Sequence, residues 1–270
     1  MHGRVLTIAG SDSGGGAGIQ ADLKTITALG GFGMSAITAL TAQNTVEVKE
    51  VHTVPVSFIR KQIQAVVTDL GVDCFKTGML ASAEIVHAVA DELDNWKGIP
   101  LVLDPVMVST SGSSLLAPDA ISAVIERLLP RSTIVTPNIP EAEMMTGIEI
   151  KTLSDMRRAA AILQQKGANS VLLKGGHLES DTLIDLLVLK NGTEIVLTST
   201  KIKTRHTHGT GCTLASAIAV GVAQGYAAEK AVRRGSDYLR QALLNAPGYG
   251  HGHGPVDHGV TVQEYWKTIK

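Results

Sequence analysis

The sequence has few cysteines, few aromatic residues and almost no excess of charge. Its 270 residues include two cysteines, Cys74 and Cys212, which are not in C-x-x-C spacing. Neither a disulfide framework nor a zinc ribbon is therefore indicated, and a reducing compartment fits. Aromatic residues make up 3% of the chain, and the formal net charge is -1. Because nucleic acids and anionic membranes are bound by clustered basic residues, we expect neither as a partner and favour a small-molecule ligand.

Long apolar runs are also absent. No stretch approaches the ~20 apolar residues that a membrane-spanning helix needs. The first residues, MHGRVLTIAGSD, enter a strand pattern almost at once and lack the basic and apolar regions of a signal peptide. We therefore expect a cytoplasmic protein, and the length fits one large α/β domain over residues 1–270.

Short apolar runs alternate with segments of helical periodicity. The apolar runs begin at residues 5, 35, 74, 100, 132 and 170, and the amphipathic segments cover 58–70, 82–96, 117–130 and 153–167. This alternation predicts a mostly parallel central sheet with helices on both faces, that is, a three-layer α/β/α fold. Further along, Asn191-Gly192 between two apolar runs predicts a hairpin extension, which two helices follow from about Gly211 and Glu229.

Polar residues and glycines gather where the predicted strands end. These stretches are 10–18, 43–44, 76–79, 104–107, 138–141 and 174–177. In open parallel sheets, ligands bind beyond the carboxyl ends of the strands. The sequence therefore predicts a cleft for a polar substrate at this edge of the sheet.

The glycine-rich stretch GSDSGGGAGIQADL, which starts at Gly10, is only a weak match to a nucleotide-binding fingerprint. Its segment GAGIQA fits G-x-G-x-x-G/A but begins six residues beyond the strand end at Gly10. No lysine follows its glycines as a Walker A loop requires, and no acid closes the second strand run to hold a ribose. Two interpretations stay open. The stretch is either a flexible loop that caps a helix or the floor of a substrate pocket, with Asp22 facing that pocket from the first helical turn.

The stretch THGTGCTLA, residues 207–215, combines two glycines with the start of a small-residue helix. Gly209 and Gly211 allow backbone N–H groups to converge, and the helix N-terminus adds its positive end, so this loop is an anion-binding candidate. Such a nest would lower the pKa of Cys212 and favour its thiolate. The alternative is that Cys212 is a small buried residue of the helix. His208 is expected to orient the loop rather than to act as a base.

Two acids and a lysine follow neighbouring strand runs. Asp104 ends one run, Asn138 and Glu141 follow the next, and Lys174 closes a third. Paired carboxylates suit Mg2+, although Glu141, just after a proline, also fits a helix first turn. Lys174 either binds phosphate or extends to solvent. Together with the anion nest, these residues predict phosphoryl transfer, which depends on positioning and charge neutralisation.

Seven sequence blocks, in order, resemble those of the hydroxymethylpyrimidine kinase / phosphomethylpyrimidine kinase family of thiamine biosynthesis, within the ribokinase-like superfamily. The blocks are TIAGSDSGGGAGIQADLKT, TALTAQNT, KTGML, LDPVM, TPNIPEAE, LLKGGH and THGTGCT. The resemblance implies a dimeric cytosolic enzyme. With MgATP as donor, such an enzyme phosphorylates 4-amino-5-hydroxymethyl-2-methylpyrimidine and then its monophosphate.

The resemblance also implies roles for particular residues. Gly10, Asp22, Gln43, Met79 and Met107 would contact the pyrimidine, with the Gln43 amide matched to the ring nitrogen and amino edge. ATP would meet Lys174, Asn138, Thr210 and Gly211, and Mg2+ would meet Asp104 and Glu141. Cys212 would stand where sugar-kinase relatives carry an aspartate base, beside the nest formed at Gly209 and Gly211.

Two other functions stay open. A pyridoxal kinase of the same superfamily would share the cysteine loop and the GPVDH ending, although the TAQNT block and the full GGGAG argue against it. A non-catalytic ligand-binding relative would not need Lys174, Asp104, Glu141 and Cys212 together. Neither a lid at residues 108–116 nor a role for the His-rich stretch 251–258 can be read from the sequence.

Overall fold

The computed structural model describes residues 2–107, 117–176 and 182–262. Within these ranges one sheet is formed by nine strands, β1 (Arg4–Asp12), β2 (Phe32–Gln43), β3 (Val48–Thr53), β4 (Cys74–Thr77), β5 (Leu101–Leu103), β6 (Ile134–Val135), β7 (Ser170–Leu173), β8 (Thr182–Val188) and β9 (Glu194–Thr200). Their order is β3-β2-β1-β4-β5-β6-β7-β8-β9. Strands β1, β2, β4, β5, β6 and β7 are parallel, whereas β3, β8 and β9 pair antiparallel at the two edges. The predicted parallel sheet with a hairpin extension is confirmed.

Helices cover both faces of the sheet. They are α1 (Gly18–Ala28), α2 (Val56–Asp69), α3 (Ala83–Asp94), α4 (Pro118–Ala123), α5 (Ile139–Thr146), α6 (Leu153–Gln165), α7 (Thr210–Ala223) and α8 (Ala228–Leu244). The apolar residues of α2 to α6 share one buried cluster, and those of α1, α7 and α8 share another. The three-layer α/β/α fold is therefore confirmed. No helix of the described ranges is long and apolar enough to cross a membrane.

Two elements differ from the sequence-based expectation. Strand β3 was not predicted, because its residues are almost all exposed and lack the apolar alternation of a half-buried strand. The helix predicted over 117–130 is α-helical only to Ala123 and continues as a π-helical turn, Val124–Leu128, and a 3-10 turn, Leu129–Arg131. Pro130, which has no N–H to donate, lies in that final turn. The stretch 108–116 and His177 of the LLKGGH block lie outside the described residues.

Strand periodicity places three charged side chains on the same face of the sheet. Cys74, Val102 and Leu172 pack in the buried cluster beneath α7. Because side chains alternate along a strand, the residues two positions later, Lys76, Asp104 and Lys174, continue on this face. The carboxyl ends of the central strands therefore present charged groups towards α1 and α7.

Candidate active site

A cavity of about 990 Å³ lies at the carboxyl ends of the parallel strands. Eleven of the predicted site residues line it: Gly10, Gln43, Met79, Asp104, Asn138, Glu141, Lys174, Gly209, Thr210, Gly211 and Cys212. Two do not. The side chains of Asp22 and Met107 are 0% and 1% exposed and lie behind the cavity wall. The structure therefore brings most of the predicted site together in one place.

Helix α7 opens onto the cavity with an uncapped N-terminus. Its N-cap, Gly209, has φ 77°, and no side chain caps the first turn. A Cβ at Gly209 would collide with the carbonyl oxygen of Gly16, so this position needs glycine for both its conformation and its close backbone contact. The Thr210 amide donates to the Thr207 carbonyl oxygen at 3.3 Å, whereas the following first-turn N–H groups have no intrahelical partner and are available to an anion in the cavity.

Lys174 and Asp104 meet at this helix end. The Lys174 ammonium nitrogen lies 3.6 Å from Asp104 Oδ1. A Cβ added to Gly211 would lie 3.4 Å from Lys174 Nζ and 3.9 Å from Asp104 Oδ2. Burial opposes the charge of Lys174, but the carboxylates of Asp104 and Glu141 outweigh it and raise the pKa of the ammonium group. A positive charge and a helix N-terminus therefore face the same small volume.

The two predicted metal-binding acids are both buried. Glu141 and Asn138 form a capping box at the start of α5, with 2.9 Å hydrogen bonds in each direction. The helix-capping interpretation of Glu141 is thus correct, but its carboxylate also lines the cavity. Burial raises the pKa of Glu141 to about 7, and the Asp104 carboxylate adds to this effect while Lys174 opposes it.

The acid pair fits a divalent cation such as Mg2+. Asp104 Oδ1 accepts a 3.2 Å hydrogen bond from Thr136, whereas the buried Oδ2 has no hydrogen-bond partner. A buried carboxylate oxygen without a partner is costly, and a cation would compensate it. Across the described parts of the chain, no group of three or more His, Cys, Asp or Glu side chains could hold a metal. The other ligands of Mg2+ would therefore be waters and phosphate oxygens, as is common for this ion.

The state of Cys212 differs from the sequence-based expectation. The nest was expected to favour the thiolate, but burial raises the pKa of Cys212 to about 12, and the carboxylates of Asp22 and Asp104 act in the same direction. Lys76 and a hydrogen bond from the Gly18 amide lower the pKa of Cys212, but by less than burial and the two carboxylates raise it. The thiol is therefore neutral near pH 7, because desolvation of a thiolate outweighs the attraction of one lysine.

Asp22 belongs to a buried ion pair that sequence reasoning missed. Lys76 Nζ lies 3.0 Å from both Asp22 carboxylate oxygens. The same carboxylate accepts hydrogen bonds from Thr7 at 2.6 Å and Ser216 at 2.7 Å. The expectation that Asp22 faces the cavity is wrong, because its carboxylate is buried and turned towards this partner. The sequence did contain a signal for this pair, because Lys76 lies inside a run of apolar residues that forms a buried strand. A buried ammonium group needs a nearby acid to compensate its charge, and Asp22 of α1 provides it.

Met107 is placed differently from the expectation as well. Its side chain packs in the cluster beneath α2 to α6, away from the cavity. Its backbone hydrogen-bonds the Glu141 carboxylate. Met107 therefore affects the site through its backbone, because strand-end side chains alternate between the two faces and this one faces the apolar layer.

Asp12, His208 and Gln43 form a polar cluster that lines the cavity next to the start of α7. Asp12 accepts hydrogen bonds from the backbone of Gly14, Gly16 and Ala17, and thereby shapes the glycine-rich loop. His208 Nε2 lies 2.8 Å from Asp12 Oδ2 and 3.2 Å from Gln43 Nε2. The expectation that His208 orients the loop agrees with these contacts. An acid followed by glycines after a strand was the signal that could have identified Asp12.

Asp185 of β8 is a further lining residue that the sequence did not reveal. It accepts a 2.8 Å hydrogen bond from the Gly175 amide, and burial raises its pKa although Gly175 and Lys174 lower it. A Cβ at Gly175 would collide with the carbonyl oxygen of Ile184, so the turn after Lys174 packs directly on β8. Sequence reasoning missed Asp185 because it lies in a hairpin, where a charged side chain is usually solvated.

A cavity lined by anion-binding groups and by an amide-bearing polar cluster is the arrangement expected of a kinase that acts on small molecules. The family model for phosphomethylpyrimidine kinase matches residues 12–257. The thiamine biosynthesis bifunctional protein ThiED of Geobacter sulfurreducens is 49% identical over 97% of this chain, which spans 54% of that protein's length. The hydroxymethylpyrimidine/phosphomethylpyrimidine kinase of Bacillus subtilis is 46% identical, with 94% of each chain covered.

Among solved structures, an ADP complex of Bacillus subtilis pyridoxal kinase superposes with a TM-score of 0.89 at 35% identity, covering 96% of this chain and 98% of that one. The chain belongs to the phosphomethylpyrimidine kinase family. The resemblance drawn from the seven sequence blocks is thereby confirmed, as is the enzyme class that it implied.

Proposed function

We propose that this enzyme transfers the terminal phosphoryl group of ATP to the hydroxymethyl group of 4-amino-5-hydroxymethyl-2-methylpyrimidine, and then phosphorylates the resulting monophosphate. The observation that carries the proposal is the convergence of Lys174, Gly211 and Asp104, with a Cβ at Gly211 only 3.4 Å from Lys174 Nζ, in the cavity that Gln43 also lines. The names of the curated relatives and the ADP complex of a related kinase support it.

The phosphates are assigned to the side of the cavity formed by α7. Lys174 and the N–H groups of the first α7 turn would bind the oxygens of the transferring phosphoryl group, where preorganised positive charge is most effective. Asn138 and Thr210 line the same cavity. Asp104 and Glu141 would hold Mg2+, which supplies positive charge to the phosphate oxygens when bound. Gly10, Gln43 and Met79 are assigned to the pyrimidine, in front of Cys212.

Cys212 is assigned to orient the acceptor hydroxyl. Cys212 is a neutral thiol before the reaction, because burial raises its pKa to about 12. A neutral thiol cannot accept the hydroxyl proton, so Cys212 is not assigned as a thiolate base. Phosphoryl transfer through a loose transition state needs little proton removal at the start. The sulfur can therefore orient the hydroxyl by hydrogen bonding. As the new O–P bond forms and the bond from phosphorus to the ADP oxygen breaks, the hydroxyl proton passes to an oxygen of the transferred phosphoryl group.

Substitution of Cys212 tests this assignment. We expect Cys212→Ala to lower kcat by about 100-fold or more while the KM for ATP stays within about twofold, since only acceptor orientation is lost. Cys212→Ser, which keeps a hydrogen-bonding group, should retain more than about a tenth of the activity. Wild-type turnover in the alanine variant would remove Cys212 from the reaction, and a serine variant as inactive as alanine would favour a thiolate base.

ATP consumption with different alcohols tests the function as a whole. The main alternative is a pyridoxal kinase, favoured by the close superposition on that enzyme of Bacillus subtilis. The chain is, however, 46% identical to the pyrimidine kinase of the same organism and 35% identical to its pyridoxal kinase. Turnover of the pyrimidine alcohol supports the proposal, preference for pyridoxal contradicts it, and no turnover with either indicates a non-catalytic relative.

A homodimer in the cytoplasm is proposed with this function. The edge of the sheet at β2 and β3 exposes the large apolar side chains of Leu40, Val46 and Val51, which favours coverage by another subunit. Both cysteines are free thiols, which fits a reducing compartment. Sedimentation at micromolar concentration tests the dimer, and a monomer under these conditions would contradict it.

A further inference from the structure

The Gly/His-rich stretch near the end of the sequence links two loops that border the cavity. We name residues 250–255 the C-terminal clasp. The clasp follows α8 and contains Gly250, Gly252 and Gly254 at alternate positions. It lies against the turn that follows Gln43 on one side and against the loop that precedes α7 on the other. The sequence alone assigned no role to it.

The first attachment joins the clasp to Thr45, two residues after Gln43. The Gly252 amide donates to Thr45 Oγ1 at 3.2 Å, and the His253 amide donates to the Thr45 carbonyl oxygen at 2.9 Å. A Cβ at Gly250 would collide with the Thr45 side chain, and one at Gly252 would collide with its carbonyl oxygen. Glycine is needed at Gly252 because the two backbones approach too closely for a side chain, and at Gly250 because its φ is +80° and the Thr45 side chain fills the adjacent space.

The second attachment joins the clasp to the loop at residues 205–208. The His208 amide donates to the Gly254 carbonyl oxygen at 3.1 Å, and His208 forms a parallel bridge with Pro255. His253 Nδ1 lies 3.2 Å from the carbonyl oxygen of Arg205. A Cβ at Gly254 would collide with the His206 ring. The clasp thus holds the loop that leads into the anion nest.

Between these two attachments, Gln43 and His208 meet at the cavity surface. They are 165 positions apart in the sequence, yet Gln43 Nε2 lies 3.2 Å from His208 Nε2. The same ring nitrogen faces Asp12 Oδ2 at 2.8 Å. A nitrogen that donates to Asp12 cannot accept from Gln43 at the same time, so His208 influences which edge of the Gln43 amide turns towards the cavity.

We propose that the C-terminal clasp is a positioning element for acceptor recognition. By joining Thr45 to the 205–208 loop, it keeps the Gln43 amide in register with His208 and with the anion nest. The pocket can then select a planar heterocycle whose donor and acceptor groups match that amide. This inference rests on the proposed function for the identity of the acceptor, whereas the link between the two loops does not depend on it.

Substitutions at Thr45 test the clasp without altering a cavity-lining residue. Thr45→Val removes the acceptor of the Gly252 hydrogen bond and keeps nearly the same volume, whereas Thr45→Ser retains the hydroxyl. We expect the valine variant to raise the KM for the pyrimidine alcohol by about fivefold, the cost of one such hydrogen bond, with kcat and the KM for ATP little changed. The serine variant should restore the wild-type KM.

A stronger perturbation and a matched control complete the kinetic test. Gly254→Ala forces the clasp away from His206 and should raise the same KM further. Gly98→Ala, at a glycine with no atom within 4 Å of the added Cβ, should leave all parameters unchanged. An unchanged KM for the pyrimidine alcohol in Thr45→Val would overturn the proposal. An equal rise in the KM for the pyrimidine alcohol and in the KM for ATP would also overturn it, because a general distortion of the site would raise both.

Hydrogen exchange of the ligand-free protein provides a readout that is independent of the reaction. In Thr45→Val, amides 43–47 and 205–209 should exchange faster than in wild type, with α2 and α3 unchanged. If the wild type phosphorylates none of the alcohols, the proposed function fails while the exchange result still tests the clasp. Faster exchange with an unchanged KM in an active enzyme would show a purely structural link and overturn the positioning role.

Discussion

At the scale of single residues, burial decides the charge states around the cavity. Lys76 and Asp22 are both fully buried, and each compensates the charge of the other. Thr7 and Ser216 satisfy the remaining lone pairs of the carboxylate. A buried pair is sensitive to loss of one partner because the remaining ion is left without compensation. We therefore assign this pair to the stability of the layer beneath Cys212 rather than to contact with a ligand.

A double-mutant cycle on this pair provides the residue-scale prediction. We expect Lys76→Met and Asp22→Asn each to lower the free energy of unfolding by about 3 kcal/mol, as seen when one partner of a buried pair is lost. The double variant should lose clearly less than the sum. Urea denaturation measures all four proteins.

The matched control is the exposed pair Arg157–Glu194, which has a 2.8 Å contact and side chains that are 45% and 42% exposed. The same cycle there should give less than about 1 kcal/mol of coupling, because water screens both charges. Additive effects at Lys76 and Asp22 would mean that the two charges do not stabilise each other.

At the scale of elements, the N-terminus of α7 organises the phosphate side of the cavity. Gly209 and Gly211 belong to one motif but have different physical requirements. Gly209 has φ 77° and contacts the Gly16 backbone, whereas Gly211 has ordinary helical geometry and a Cβ there would make only van der Waals contact with Lys174 Nζ, at 3.4 Å. Only Gly209 is therefore required for folding. Gly211 leaves room between the helix end and Lys174, and we assign that room to a phosphate oxygen.

Alanine substitutions separate these two requirements. We expect Gly211→Ala to raise the free energy of unfolding by about 0.5 kcal/mol, since alanine favours helix more than glycine. The same change should lower kcat by about tenfold or more, because the methyl group occupies the space beside Lys174 Nζ. Gly209→Ala should instead destabilise the protein. Thermal unfolding and ATP turnover measure both variants, and a fully active Gly211→Ala would argue against an anion site here.

At the scale of the whole molecule, residues near the end of the chain pack onto the helix layer that contains α7 and α8. His258 is 6% exposed and lies 3.0 Å from the Thr213 hydroxyl, and its carbonyl oxygen accepts a hydrogen bond from Tyr238. Burial lowers the pKa of His258 from 6.5 to about 4, with Lys24 and His208 acting in the same direction. Docking of this segment therefore requires a neutral imidazole.

This histidine should make the stability of the protein depend on pH. Above pH 6.5, His258 is neutral in both the folded and the unfolded protein, so it does not lower the free energy of unfolding. As the pH falls from 6.5 towards about 4, the unfolded chain takes up a proton that the folded protein does not, so the folded state loses stability. The full loss is about 3 kcal/mol.

The variant His258→Gln tests this assignment, because glutamine keeps a hydrogen-bonding group and does not titrate. Urea denaturation at pH 7 and at pH 4.5 should give a smaller difference for the variant than for wild type. His52→Gln, at an exposed residue of β3, should behave as wild type, since that side chain contacts water in both states. An unchanged pH dependence in His258→Gln would show that other groups carry it.

Local patterns predicted most of the fold and much of the candidate site. Apolar runs identified the six parallel strands, and Asn191-Gly192 identified the β8–β9 hairpin. Residues at strand ends, such as Asp104 and Lys174, could be placed together because parallel strands end at one edge of the sheet. Strand β3 could not be recognised, since its exposed residues lack the pattern of burial on which such predictions depend.

The sequence by itself determined the order of the elements, the glycine positions of the anion nest and the chemical types available at the strand ends, because these depend on spacing along the chain. Only the tertiary structure decided that Asp22 pairs with Lys76, that Cys212 holds its proton and that the C-terminal clasp reaches Thr45. The physical reason is that burial and electrostatic free energies depend on which distant residues surround a group, and that information is absent from any local stretch of sequence.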